Sequence, residues 1–390
     1  MKAPNPVYGA QGTTIFTIMS ALAAEAGAIN LGQGFPDDEG PDDVRAAAAD
    51  AIINGPNQYP PMMGLPDLRR AVAAHARRFY GMTLDWQSQV LITSGATEAL
   101  AASLSALLKP GDEAILIEPF FDTYLPVIEA AGAKAVCVPL HPPAWSLDHD
   151  ELAAAFSDRT KLILLNTPHN PLGRVFGDED LDAIARLCRM HDVVAVCDEV
   201  YEHMVFDGAA HRPLMTLPDM AARTVRIQSA GKIFSLTGWK VGFVSGAADL
   251  VSLVSKAHQN LVFTTPPGLQ LGVAYGLGKE ESFFRDQAAD LAGRRDLLRA
   301  GLEAAGFAIS PCEGTYFLTA DIRPVAGDEP DTEFCRRITT DAKVAAVPIS
   351  AFYAPGSPSR ATNFIRFCFC KQPALLEEAV ARLSRYLQRR

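Results

Sequence analysis

From Val90 onward the chain alternates short, mainly apolar runs with longer amphipathic stretches. The runs are Val90-Leu-Ile-Thr93, Ala114-Ile-Leu-Ile117, Ala135–Val138, Leu162-Ile-Leu-Leu165, Val193-Val-Ala-Val-Cys197, Thr224-Val-Arg-Ile227 and Val241–Val244. Runs this short, without polar alternation, predict strands buried on both faces. The stretches Glu98–Leu108, Asp122–Ala131, Asp150–Phe156 and Asp178–Met190 predict helices between them. Strands alternating with helices pair parallel. The expected fold is α/β, a mainly parallel seven-stranded sheet sandwiched by helices.

The flanks differ from this pattern. Residues 1–14, rich in Pro, Gly and Thr, predict an extended arm. Phe16 to Ala26 predicts a helix with Phe16, Met19, Leu22 and Ala23 on one face and Gly27 ending it. Two further helices are expected from Pro41 to about Ile53 and from Leu65 to Tyr80. After Gly278 a long helical region, Glu280–Ala304, precedes strands near Tyr316–Thr319, Val344–Val347 and Phe364–Phe369. Helices near Thr332–Thr339 and Leu375–Leu387 alternate with them. This predicts a smaller C-terminal α+β domain with its own core.

Open α/β sheets bind ligands beyond the carboxyl ends of their strands. Here those ends carry Asn166-Thr-Pro-His-Asn-Pro-Leu-Gly173, Asp198-Glu-Val-Tyr201, Ser229 with Lys232, and Glu118-Pro-Phe-Phe121. After the first strand, Thr93–Thr97 places small residues and hydroxyls at a helix N-terminus. That is a place for phosphate, or a plain helix cap. An Asp at the end of an apolar strand is costly unless a cation meets it. Lys232 lies among Ala, Gly, Ile, Phe, Leu and Trp in Ser229-Ala-Gly-Lys-Ile-Phe-Ser-Leu-Thr-Gly-Trp-Lys240. Desolvation would lower its pKa and make it an amine nucleophile able to form a Schiff base. An amine, a carboxylate, a phenol, an amide, an aromatic face and a phosphate nest together are what pyridoxal 5′-phosphate requires.

Charge and cysteines narrow the setting. The 390 residues carry a net charge of −10 with no basic run, which argues against nucleic acid and anionic membrane as partners. No stretch of about 18 apolar residues offers a membrane span, and the N-terminus does not read as a signal peptide. The seven cysteines, scattered through apolar segments, read as reduced thiols and point to the cytoplasm. Cys368 and Cys370 have no His or Cys cluster in sequence to complete a metal site, so no metal is expected.

Asn30-Leu-Gly-Gln-Gly-Phe-Pro-Asp37, Asn57-Gln-Tyr59, Phe364-Ile-Arg-Phe-Cys368 and the strand-end motifs occur in an order that resembles fold-type I, pyridoxal-phosphate-dependent class I/II aminotransferases. The kynurenine/glutamine-transaminase-K-like and bacterial methionine enzymes are the subgroup most similar to it. The resemblance implies that Lys232 is the Schiff-base lysine and proton shuttle, that Asp198 pairs with the pyridine nitrogen, and that Asn170 and Tyr201 hold the ring oxygen. It implies Phe121 on the ring face, with Ala96, Thr97, Ser229 and Lys240 on the phosphate, joined by Tyr59 of the partner subunit in a homodimer. Arg366 would clamp the substrate carboxylate with Asn170 and the backbone of Gly34. Phe16, and the partner's Phe263, would line the side-chain pocket together with Phe352 and Tyr353. Residues 39–278 would form the large cofactor-binding domain and 15–38 with 279–390 the small one. Two positions depart from the kynurenine-type pattern: Thr97 stands where an aromatic is usual, and Phe16 where Trp is frequent.

The implied activity is ping-pong transfer of an α-amino group from a neutral, aromatic or sulfur-containing amino acid to a 2-oxo acid. The alternatives on the same site are β-elimination from cysteine S-conjugates and a biosynthetic aminotransferase for N-succinyldiaminopimelate. A cofactor-binding transcription regulator would need a DNA-binding segment, for which the arm is too short. His169 and His203 flank the motifs. The first reads as either a site or a loop histidine, the second as structural.

Overall fold

The computed structural model describes residues 4–389; the first three residues of the expected arm lie outside it. The rest of the arm is not wholly extended, because Pro6–Ala10 forms a short helix. The Asn5 side chain accepts from the Val7 N–H at 3.0 Å, and Pro6 presets the first helical φ.

The main sheet runs in the order Val90–Thr93, Gly242–Gly246, Thr224–Ser229, Val194–Asp198, Thr160–Asn166, Glu113–Glu118, Lys134–His141, Ser146–Leu147. The seven expected strands are all present, and five neighbours from Thr224–Ser229 to Lys134–His141 pair parallel. Gly242–Gly246 pairs antiparallel with both of its neighbours. The eighth strand, Ser146–Leu147, folds back on Lys134–His141 after Pro142-Pro143 and is too short for periodicity to reveal.

Helices cover both faces. Two were not expected from the sequence: Ala248–Leu261 and Pro267–Leu277. The second is threaded with glycines at every fourth position. A Cβ on Gly268 would meet Ile52 Cγ1 at 2.5 Å, and one on Gly272 would meet Ala48 Cβ at 2.6 Å. Gly268 and Gly272 make the close-packing face against helix Asp42–Asn54, and Gly276 lies against the Phe234 ring.

Beyond Leu277 the helix Glu281–Ala304 leads into an antiparallel sheet, Ala308–Ile309, Phe317–Asp321, Phe364–Cys368 and Val347–Pro348. Met19, Ile29 and Leu31 bury into one core with Leu298, Leu318, Ile365 and Leu383. Ile29–Asn30 also pairs with Val344–Ala345. No helix among the described residues is long and apolar enough to cross a membrane.

Candidate active site

The carboxyl ends of the parallel strands enclose a cavity of about 200 Å³ lined by Gly95, Ala96, Thr97, Phe121, Tyr124, Asn166, Asn170, Asp198, Tyr201, Ser229, Lys232, Thr237 and Lys240, among others. All the residues expected at the cofactor from the same chain are there. The pleat accounts for the convergence. Asn166 and Asp198 are register partners at the ends of adjacent strands, and Ser229 ends the next one.

Asp198 forms the floor. Its Oδ2 accepts from the Tyr124 hydroxyl at 2.6 Å and its main-chain carbonyl from Asn166 Nδ2 at 2.9 Å. Burial raises its pKa to about 6, although Tyr124 and the Val200 N–H pull the other way. Lys232 sits in the one-turn helix Ala230–Ile233, and Ser229 Oγ caps it by accepting from the main-chain N–H of residue 232 at 3.3 Å. Dense surroundings bring the lysine pKa down to about 8. Its Nζ donates to Tyr316 Oη at 2.6 Å and to the Gly34 carbonyl at 3.3 Å.

Gly95 adopts φ +75° at the start of helix Gly95–Leu107, so Ala96 and Thr97 fall in its first turn. A Cβ on Gly95 would lie 3.4 Å from Lys240 Nζ, which places that ammonium beside the free N–H groups of the helix. Thr97 and Lys240 are exposed on the open side of the cavity. Lys240 itself is left-handed, φ 53°. Gly242 packs so tightly beneath the turn that a Cβ there would come within 2.7 Å of the Gly95 carbonyl carbon.

Arg366 projects from strand Phe364–Cys368 with 1% exposure. It donates to Asn170 Oδ1 at 2.8 Å and to the Gly32 carbonyl at 2.9 Å, and its Nε–H has no protein partner. Among the described residues no carboxylate reaches it within ion-pair distance, and burial lowers its pKa to about 10. The rings of Phe317, Phe352 and Phe16 stand 3.9, 5.0 and 5.2 Å from the guanidinium. A buried, aromatic-ringed cation with donors to spare is built to receive an anion.

The structure adds detail to the sequence reading and amends it at one point. The Gly34 carbonyl faces Lys232 and Tyr316, and the Gly32 carbonyl meets Arg366. Tyr353 is not part of the aromatic wall; it packs into the core beside Ile349 and Phe364. Tyr59 and Phe263, expected to serve a partner subunit, touch each other edge to face at 5.5 Å on the surface, away from the cavity of their own chain.

His169 is fully enclosed near Phe176, outside the cavity lining, and burial lowers its pKa to about 3. His203 lies behind the site, where its Nε2 meets His75 Nε2 at 2.7 Å. With Glu202 these two histidines make a group close enough to share an ion. Both Glu202 oxygens, however, already accept from Arg226 and Gln228. Burial lowers the pKa values of the two imidazoles to about 3 and 4, and the rings hydrogen-bond to each other beside the buried ion pair. Tyr124 and Tyr316 are absent from the sequence reading as site residues, and Asn166 stands in it only as the first residue of a strand-end motif, without a role. Tyr124 lies three residues beyond Glu118-Pro-Phe-Phe121.

The family model for aminotransferases of class I and II matches residues 26–383. A probable N-succinyldiaminopimelate aminotransferase of Mycobacterium tuberculosis is 46% identical over 95% of this chain and 96% of its own, and a solved structure of that enzyme superposes with a TM-score of 0.95, covering 98% of this chain and 100% of the other. A methionine aminotransferase of Escherichia coli is 40% identical over 95% of each chain. Human kynurenine–oxoglutarate transaminase 1 is 38% identical over 94% of each.

Proposed function

The chain belongs to the class I and II aminotransferases and is a pyridoxal-phosphate-dependent transaminase acting on amino and 2-oxo acids, and we propose that its donors are neutral amino acids with apolar, aromatic or sulfur-containing side chains. The observation that carries this reading is the wall around Arg366. Phe16 and Phe352 meet edge to face at 5.6 Å, and Phe317 lies directly under the guanidinium. Such a wall favours a side chain that gains from leaving water.

The cavity suits the cofactor. A buried Asp198 with a raised pKa calls for a cation at the floor, which a protonated ring nitrogen supplies. The Gly95 turn beside Lys240 suits a phosphate. When bound, the cofactor supplies an electrophilic carbon and an electron sink. In our assignment Asp198 keeps the proton on the ring nitrogen, held in place by the Tyr124 hydroxyl. Asn170 and Tyr201 meet the ring oxygen, and Phe121 the ring face. Ala96, Thr97, Ser229 and Lys240 hold the phosphate. Lys232 attaches the cofactor and, once displaced, carries the α-proton. Arg366 binds the substrate carboxylate through paired N–H groups.

The cup has little room for change. Gly242→Ala should weaken cofactor retention by on the order of tenfold, because overpacking of this kind costs about 1–3 kcal/mol. Titration of the purified variant with pyridoxal phosphate checks this, and unchanged affinity would refute it.

The exposed run Ile52, Ile53, Tyr59, Leu261, Val262 and Phe263 supports a homodimer in which the partner's Tyr59 and the partner's Phe263 complete the site. The shared core of Met19, Leu31 and Leu298 supports a small domain made of residues 15–38 and 279–390, with 39–278 the large one. Seven free thiols support a cytoplasmic setting.

A second reading, transamination of N-succinyldiaminopimelate, is favoured by the 46% identical relative. A donor panel separates the two. Methionine, phenylalanine, glutamine and kynurenine should exceed aspartate by tenfold or more in kcat/KM, and Phe16→Ala should cut methionine turnover by about tenfold through KM. Equal rates with aspartate and methionine would sink the aromatic-wall argument. A tenfold preference for N-succinyldiaminopimelate would install the second reading.

A further inference from the structure

Tyr316 has no place in the roles assigned so far, yet it touches the reactive amine. Its side chain is fully buried just before strand Phe317–Asp321. The phenol donates its only hydrogen to the Gly34 carbonyl at 2.7 Å. Its oxygen can therefore only accept, and what it accepts is an N–H of Lys232 at 2.6 Å. The Gly34 carbonyl accepts from the same Nζ at 3.3 Å. The ring cannot swing away, because Tyr201 and Phe317 hold it edge to face at 5.2 and 4.8 Å.

This geometry fixes the lone pair of the amine. A neutral amine has two N–H groups, and both contacts here are with acceptors. The lone pair is left in the remaining tetrahedral direction, away from Tyr316 and Gly34. We propose that Tyr316, with the Gly34 carbonyl, is the dock that holds the released Lys232 amine with its lone pair free for the substrate's α-proton.

The proposal rests on the reading of Lys232 as the covalent and proton-carrying residue. Tyr316 is a positioning residue in it, since it acts through the lysine. The need is physical. A lysine released from the cofactor regains its rotamer freedom. Proton transfer is efficient only from a near-attack position. A dock on a rigid ring removes the search without blocking the reacting lone pair.

The test is Tyr316→Phe, which removes one oxygen and no ring volume. In the full-length enzyme, kcat should fall by roughly 10- to 100-fold, while KM for the donor moves less than about threefold. The α-deuterium isotope effect should rise, because proton transfer becomes more limiting.

A second readout does not use turnover. Cyanate carbamylates neutral amines, and mass analysis of the peptide bearing Lys232 follows its rate in the cofactor-free chain. Loss of an acceptor for the ammonium form should shift the pH midpoint of Lys232 labelling downward by half a unit or more. Wild-type kcat and isotope effect with an unmoved labelling midpoint would overturn the dock, as would a rise in KM alone. If Lys232→Ala is inactive while Tyr316→Phe is wild-type, the dock fails and the assignment of Lys232 stands. If Lys232→Ala is active, the underlying assignment fails.

Discussion

Lys232→Ala should yield a folded chain that no longer attaches its cofactor covalently, with turnover reduced by on the order of 10³-fold or more. In the proposed assignment two functions are lost together, the amine that bonds the cofactor and the base that moves the α-proton. The fold should survive because Ser229 caps its helix through the main-chain N–H of residue 232, which alanine retains. Borohydride reduction of the wild-type enzyme should add the cofactor's mass to the peptide containing Lys232. The variant should gain none. Wild-type turnover in the variant would refute the assignment outright.

Asp198→Asn should move activity and stability in opposite directions. Activity should fall by about 10²- to 10³-fold, the scale of a lost preorganised charge, measured as kcat at saturating cofactor. Stability of the cofactor-free chain should rise at neutral pH. The sign follows from the pKa, which burial raises from an ordinary 3.8 to about 6 in the folded chain. Below pH 4 the carboxyl is neutral in both folded and unfolded states. Between pH 4 and 6 the unfolded chain ionises first, so stability drains away as pH rises. Above pH 6 the folded chain bears a penalty of about 3 kcal/mol. Asparagine carries none, so the variant's melting temperature should pull ahead of wild type between pH 4 and 7. Bound cofactor should erase the gap by supplying the missing cation. Parallel pH curves for the two cofactor-free proteins would disprove it.

Much of the site was legible because it obeys one rule. An apolar run ends, and the next residues are polar and awkward to bury. Asp198, Asn170, Ser229 and Lys232 all announce themselves this way. Tyr316 does not. It precedes Phe317, Leu318 and Thr319 in a stretch whose hydrophobicity reads as core, and only three-dimensional packing sets its hydroxyl against Lys232. Tyr124 was hidden likewise, as an apolar-looking position in the helix Tyr124–Ala130.

The helix Pro267–Leu277 escaped for a different reason. Glycine lowers helix propensity by about 1 kcal/mol per residue, so a glycine-studded segment looks like a loop. Its spacing pays off only once Ile52 and Ala48 are pressed against it. The eighth strand and the short helix in the arm lie below the length at which periodicity carries information.

Arg366 has one consequence outside the molecule. In the proposed assignment its spare N–H groups would grip a carboxylate, and that group is common to the amino acid entering one half-reaction and the oxo acid entering the other. Such a clamp would serve both half-reactions alike, and, as with any catalyst, it leaves the direction of the exchange to the reactants. Swapping an amine for a ketone between two similar acids leaves the bonds nearly balanced. Net flow in a cell would then follow the ratio of the four metabolites, and the enzyme would run as a two-way valve between them.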